Sequence, residues 1–159
     1  MSTLDEILTR ADEALAAAAA GEPDARRRAI GTFMQCFEQL AREVAAGATS
    51  WEAAAPWAAR TADQVRAAGA SIKAWDAESA DLLYSPSGGE EEMDAALRRR
   101  SRLAFAREVF RGTAADEVLA ALEEKEFDHD LHEEAVRIEM FAPSHIPRSH
   151  TWWARPDET

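Results

Sequence analysis

The sequence predicts an all-α fold, a bundle of five or six helices followed by an extended C-terminal tail. Alanine, the residue with the highest helix propensity, supplies 36 of the 159 residues. Apolar residues recur every three or four positions, and no segment shows the strict alternation of a half-buried strand. Pro143, Pro147 and Pro156 exclude a long helix near the end. We therefore expect a helical bundle domain over residues 1–142 and an extended tail over residues 143–159, packed on the domain or on a partner.

The first two helices have clear limits. Thr3 and Glu6 form a capping box at the start of the first helix, and Gly21 followed by Pro23 predicts its end. The second helix is expected from about residue 24 to residue 46. Its apolar stripe is the most regular in the chain and consists of Ile30, Phe33, Met34, Phe37, Leu40, Ala41 and Val44.

A proline determines the third element. Ser50 is expected to cap a short turn that holds Trp51. Pro56 should then lie in the first turn of a long helix, because a proline further inside would remove a backbone hydrogen bond. The apolar positions predict that this helix continues unbroken to Leu83.

A loop over residues 84–89 precedes the remaining helices. The fourth helix starts with three glutamates and carries its arginines later, which complements the helix dipole, and Gly112 ends it. A short fifth helix runs through Leu119. A capping box of Asp130 and Glu133 then predicts a short last helix that ends near residue 142.

Charge and composition exclude several classes of function. The chain has 18 Lys and Arg against 30 Asp and Glu, a net charge of -12. We expect no nucleic-acid partner and no anionic membrane partner, because both need an excess of positive charge. The sequence contains no run of about 18 apolar residues, and its acidic first 20 residues do not resemble a secretory signal. The single cysteine, Cys36, rules out an intrachain disulfide and favours a cytoplasmic location.

The densest polar cluster covers residues 123–134. Its candidate metal ligands are Glu126, His129, His132 and Glu133. Glu126, His129 and either His132 or Glu133 are three or four residues apart, so a continuous helix would place such a set on one face. A ferritin-like site needs Glu-x-x-His from two helices, whereas this chain has one such pair. We therefore expect no cofactor and a solvated acidic face or helix junction. A transition-metal site and a docking surface for a basic partner are the alternatives.

The tail holds the candidate partner-binding residues. These are Ile146, Arg148, Trp152 and Trp153. The first expectation is that the tail covers an open end of its own bundle. The alternative is docking to another protein or to a second copy of the chain, because adjacent tryptophans in an extended segment point to opposite sides.

Two functional hypotheses follow. The first is a small acidic protein that acts by binding another protein, as an inhibitor, immunity factor, adaptor or accessory subunit of a larger enzyme complex. The second is a small helical enzyme of specialised metabolism with an aromatic pocket. Its candidate catalytic residues are the four histidines, which all fall late in the chain: His129, His132, His145 and His150.

Overall fold

The computed structural model describes residues 3–85 and 89–158, and this part of the chain forms seven α-helices and no strand. The helices are α1 (Thr3–Ala18), α2 (Pro23–Ala45), α3 (Ala55–Ala67), α4 (Gly69–Tyr84), α5 (Glu90–Phe110), α6 (Asp116–Ala120) and α7 (Lys125–Arg137). The all-α prediction is confirmed, whereas the expected count of five or six helices was too low. None of the described helices combines the length and apolar character needed to span a bilayer.

The structure differs from the prediction in the number of helices and in the start of the last helix. The expected long third helix is interrupted at Ala68, whose ψ of 7° is not helical, so that α3 and α4 are separate. A side chain at Gly69 would come within 3.4 Å of Val118, so α6 packs closely against this break. The last helix begins at Lys125, five residues before the expected capping box. The predicted loop lies partly outside the described residues, which omit 86–88.

Helix α2 lies at the centre of the bundle and contacts α1, α4 and α5. Its predicted apolar stripe is buried, with Val44 only half-buried. Phe33 and Phe37 meet edge to face at 4.9 Å, and both rings contact Trp57 and Phe110. This aromatic cluster supplies the bulky apolar contacts that the alanine-rich helices lack.

The tail folds back onto the bundle. The backbone N–H of Ala142 donates to the carbonyl of Ala154 at 3.2 Å, and the N–H of Ala154 donates to the carbonyl of Met140 at 3.3 Å. These bonds hold the two ends of the tail together. Between them the chain forms a series of turns against α5 rather than one extended strand.

Candidate functional site

The tail residues proposed for partner binding are mostly buried in the chain itself. Ile146, Trp152 and Trp153 retain 5%, 4% and 1% of their accessible surface. Arg148 lies on the surface and pairs with the exposed Asp157 at 3.3 Å. Three of the four predicted docking side chains therefore contact the protein's own helices and offer no surface to a partner in this conformation.

One hydroxyl group on α5 holds the tail in place. Ser101 is fully buried, and its Oγ accepts hydrogen bonds from Trp152 Nε1 at 3.1 Å and Trp153 Nε1 at 2.9 Å. His150 Nδ1 lies 2.8 Å from the same oxygen. Because two indoles occupy the lone pairs, the hydroxyl proton is donated to His150. A serine oxygen that is buried and fully hydrogen-bonded is not available as a nucleophile, so this Ser–His pair is structural.

The environment of His150 keeps its imidazole neutral. Burial, with added repulsion from Arg100, Arg155 and His145, lowers the pKa of His150 to about 3 from 6.5. Unfolded chains take up a proton at this position below pH 6.5, whereas the folded protein does not. The folded state is therefore progressively disfavoured as the pH falls from 6.5 towards 3.

This linkage predicts a pH-dependent effect of His150→Asn, which keeps an acceptor for Ser101 but does not titrate. We expect the wild type to lose stability relative to the variant by about 1.4 kcal/mol per pH unit between pH 6 and pH 4. Urea unfolding of both proteins at several pH values measures this difference. A difference in unfolding free energy that stays constant with pH would contradict the assignment.

His145 belongs to a separate ion cluster centred on Glu38 of α2. Glu38 is 2% exposed, and its Oε2 lies 3.0 Å from His145 Nε2 and 2.8 Å from Arg98 Nη1. Its Oε1 accepts from Arg102 Nε at 2.8 Å, and Arg42 approaches Oε2 at 3.3 Å. Burial alone would raise the pKa of Glu38, but Arg102, the His145 hydrogen bond and Arg98 hold this pKa below its ordinary value. The ionised carboxylate therefore joins α2, α5 and the tail.

The other two histidines share a cleft between α7 and the tail. This cleft has a volume of about 420 Å³ and is lined by Lys125, Asp128, His129, His132, Arg148, Thr151 and Arg155. His129 Nε2 lies 3.1 Å from Glu133 Oε1, and both side chains are exposed. The structure thus brings His129, His132 and Arg148 together, whereas His145 and His150 lie in the internal contacts described above.

The candidate metal ligands do not gather around one point. In residues 3–85 and 89–158, no three His, Cys, Asp or Glu side chains are placed so that they could hold a metal ion. Glu133 contacts His129, whereas Glu126 contributes to the negative field around Tyr84 on α4. The metal hypothesis therefore gains no support from the geometry.

A second cleft, which the sequence analysis did not single out, lies between α4 and the segment from α6 to α7. It has a volume of about 410 Å³, and its apolar wall comes from Ala77, Ala80, Ala121, Leu122 and Phe127. Its charged lining residues are Lys73, Asp76 and Glu124. Asp76 lies four residues after the buried Ile72 and therefore on the same face of α4. A carboxylate at such a core-facing position is the sequence signal that could have indicated this cleft.

Asp76 is the unusual titratable group in this cleft. Burial raises its pKa from 3.8 to about 6, opposed by Arg100 and Arg99 and reinforced by Glu124 and Asp128. Within the described residues, no hydrogen bond to the Asp76 carboxylate is present, and both arginines have other partners: Arg100 pairs with Asp128 at 2.6 Å, and Arg99 donates to Ser79 at 3.1 Å. The carboxylate is thus partly desolvated without a direct partner.

Aromatic and acidic side chains extend this cleft towards the end of α4. Tyr84 is 58% exposed, its ring meets Phe127 edge-on at 6.4 Å, and its hydroxyl donates to Asp130 at 2.6 Å. That hydrogen bond, with the nearby Glu126 and Glu124 charges, raises the pKa of Tyr84 to about 12. We call the cleft, together with the rim formed by Tyr84 and Asp130, the acidic cleft, because carboxylates lie next to its apolar wall.

Comparison of the chain with protein-family models, with curated proteins and with solved structures gave no match in any of the three. Function therefore has to be inferred from the chemistry of the clefts.

Proposed function

We propose that this chain acts by binding another protein and that the acidic cleft receives a basic segment of that partner. Lys and Arg side chains combine an apolar stem with a charged head. The stem can pack against the apolar wall formed by Leu122 and Phe127, and the charged head can pair with the Asp76 carboxylate. An inhibitor, immunity factor, adaptor or accessory subunit in the cytoplasm would each use such a surface.

The observation that carries the proposal is the position of the Asp76 carboxylate, which lies beside the apolar residues of the cleft without a hydrogen-bond partner among the described residues. Its folded pKa is raised to about 6 from 3.8, so the ionised form is less stable in the folded chain than in the unfolded chain. This destabilisation is fully present above pH 6 and disappears below about pH 4. An ionised group that lowers the stability of the free protein is typical of a binding site when a bound cation would remove that destabilisation.

The charges around the cleft favour a cationic ligand. Glu124, Glu126 and Asp130 lie near Tyr84 at its rim, whereas Lys73 is the one basic residue that lines the described cleft. The exposed Tyr84 ring adds an aromatic surface on which a guanidinium or ammonium group can stack. The rim therefore attracts basic segments and repels acidic ones.

Asp76→Asn provides the test, because the substitution keeps the shape of the side chain and removes its charge. We expect it to stabilise the free protein by up to about 3 kcal/mol at pH 7.5. The same change should weaken binding of a synthetic Leu/Lys amphipathic helix about tenfold, through loss of a charge-assisted contact. Urea unfolding measures the first effect and isothermal titration calorimetry measures the second.

Asp63→Asn is the matched control, since Asp63 is exposed on α3 and the substitution changes the net charge equally. It should alter neither stability nor peptide affinity appreciably. A peptide with glutamate in place of lysine should not bind. Equal binding of both peptides, or equal affinities of the two variants, would refute the role of the acidic cleft.

The enzyme hypothesis retains one supporting observation. His129 and His132 line a common cleft with Lys125 and Arg148, a set that includes proton donors and anion-binding groups. Stoichiometric transition metal in the purified protein, measured by elemental analysis, would favour this second function.

A further inference from the structure

We infer that the cavity between α1, α2 and α5 binds a small oxyanion that carries two negative charges, such as a phosphate group or a dicarboxylate. The cavity has a volume of about 330 Å³ and is lined by four arginines, together with Glu38 and polar residues of α2. The arginines are Arg10, Arg42, Arg98 and Arg102, and we call the space the arginine cavity. It is separate from the acidic cleft in its lining residues.

The charge balance in the arginine cavity is positive, although the whole chain has a net charge of -12. Glu38 is the single carboxylate among the lining residues. Asp94 neutralises part of Arg98, whose Nε donates to it at 2.9 Å. In the described part of the chain, Arg10 has no carboxylate partner and donates instead to the amide oxygen of Gln39. Four guanidinium groups therefore face two carboxylates, which leaves a net charge of +2, and Arg10 is the one arginine of the four without a carboxylate contact among the described residues.

The buried carboxylate of Glu38 orients these arginines and is itself saturated. Its two oxygens contact Arg42, Arg98, Arg102 and His145, which accounts for the roughly four lone-pair positions of a carboxylate. Glu38 thus fixes three guanidinium groups from one side. Guanidinium groups that are already oriented lose less side-chain conformational entropy when they bind an anion.

Several guanidinium N–H groups are left for a ligand. Arg102 uses only its Nε towards Glu38, and Arg42 uses one of its Nη nitrogens. Arg98 uses Nε and Nη1. For the residues that the structure describes, the other nitrogens of these three arginines make no hydrogen bond within the protein. The planar fork of N–H donors on a guanidinium suits phosphate and carboxylate oxygens.

The size of the cavity sets the size of the ligand. A volume near 330 Å³ is at the lower end of small-molecule sites. Gln35, Gln39 and Thr32 add neutral polar groups to the wall, which suit hydroxyl or amide groups on the rest of a ligand. The geometry therefore points to a metabolite of modest size with two negative charges, carried by one phosphate group or by two carboxylates.

Thermal unfolding and calorimetry of the full chain test this assignment, with inorganic phosphate and succinate as probes and sodium chloride at matched ionic strength as reference. We expect at least one probe to raise the melting temperature in a saturable manner beyond the effect of chloride. A response to phosphate alone identifies a phosphate site, and a response to succinate alone identifies a dicarboxylate site. Responses to both support the shared oxyanion chemistry.

Arg42→Gln should weaken binding of the responding probe about tenfold, because one charge-assisted contact is lost. The Arg42 side chain is 56% exposed, so the variant is expected to fold, and Arg10→Gln is a second variant at the opposite wall. Arg60→Gln on the exposed face of α3 is the charge-matched control. Equal affinities of Arg42→Gln, Arg10→Gln and Arg60→Gln, or a shift no larger than that from chloride, would overturn the assignment.

Discussion

Deleting residues 144–159 should leave a chain that is largely unfolded at room temperature. The deletion removes three large buried apolar side chains, Ile146, Trp152 and Trp153. Their burial is worth roughly 5–10 kcal/mol, which is comparable to the whole stability of a typical domain. The deletion also leaves the Ser101 hydroxyl and the Arg100 guanidinium, which stacks on Trp152 at 3.9 Å, without these partners.

A point substitution separates the role of the packed side chains from that of chain length. Trp153→Ala should lower the unfolding free energy by about 3–5 kcal/mol, the usual cost of removing a large buried aromatic group. Arg148→Ala is the control in the same segment, because its ion pair with Asp157 is exposed and should contribute less than about 1 kcal/mol. Urea unfolding followed by circular dichroism measures all three proteins. A truncated protein with wild-type stability would show that the tail does not seal the bundle.

Glu38→Gln should destabilise the folded protein strongly. The carboxylate is buried and receives contacts from Arg98, Arg102 and His145, so its loss leaves a cluster of partly buried basic groups without their shared counterion. Removing one partner of such a cluster costs about 3–5 kcal/mol. Glu43→Gln, at a half-buried site on the same helix without an ion pair among the described residues, should cost far less.

The pH dependence of this effect has a definite sign. The folded pKa of Glu38 lies below its ordinary value of 4.5. Its contribution to stability is therefore fully present above about pH 4.5 and is lost as the pH falls through the folded value. Urea unfolding of wild type and Glu38→Gln from pH 7 to pH 3 should show the two stabilities converging in acid. Parallel curves over this range would contradict the assignment.

Local patterns were sufficient to predict most of the helices. The stripe on α2 and the left-handed glycines at Gly47 and Gly112 follow from side-chain periodicity and backbone sterics, which neighbouring residues determine. The break at Ala68 has one local signal, the glycine that follows it, but the apolar positions on both sides of Gly69 predict a continuous helix. Val118 approaches Gly69 closely at this point, a tertiary contact that periodicity does not show.

The candidate sites were harder to predict because they depend on distant contacts. The expectation that adjacent tryptophans point apart assumed an extended tail, whereas turns bring Trp152 and Trp153 to the same oxygen of Ser101. Asp76 becomes unusual only through the burial and the neighbouring charges that the fold supplies. The four histidines are close together in the sequence, but the fold divides them into two pairs, with His129 and His132 in one cleft and His145 and His150 in internal contacts.

The shared acceptor at Ser101 makes opening of the tail a cooperative event. Withdrawing one indole would leave a vacant lone pair on an oxygen that is fully buried, while the other contacts still hold the segment closed. That partly open state has the energetic penalty of an unsatisfied buried group without the entropy gained by a released segment. We therefore expect the tail to open as a whole rather than to fray residue by residue. In hydrogen exchange, the amides of this region should then share one opening free energy, because Trp152, Trp153 and His150 would leave the Ser101 hydroxyl together.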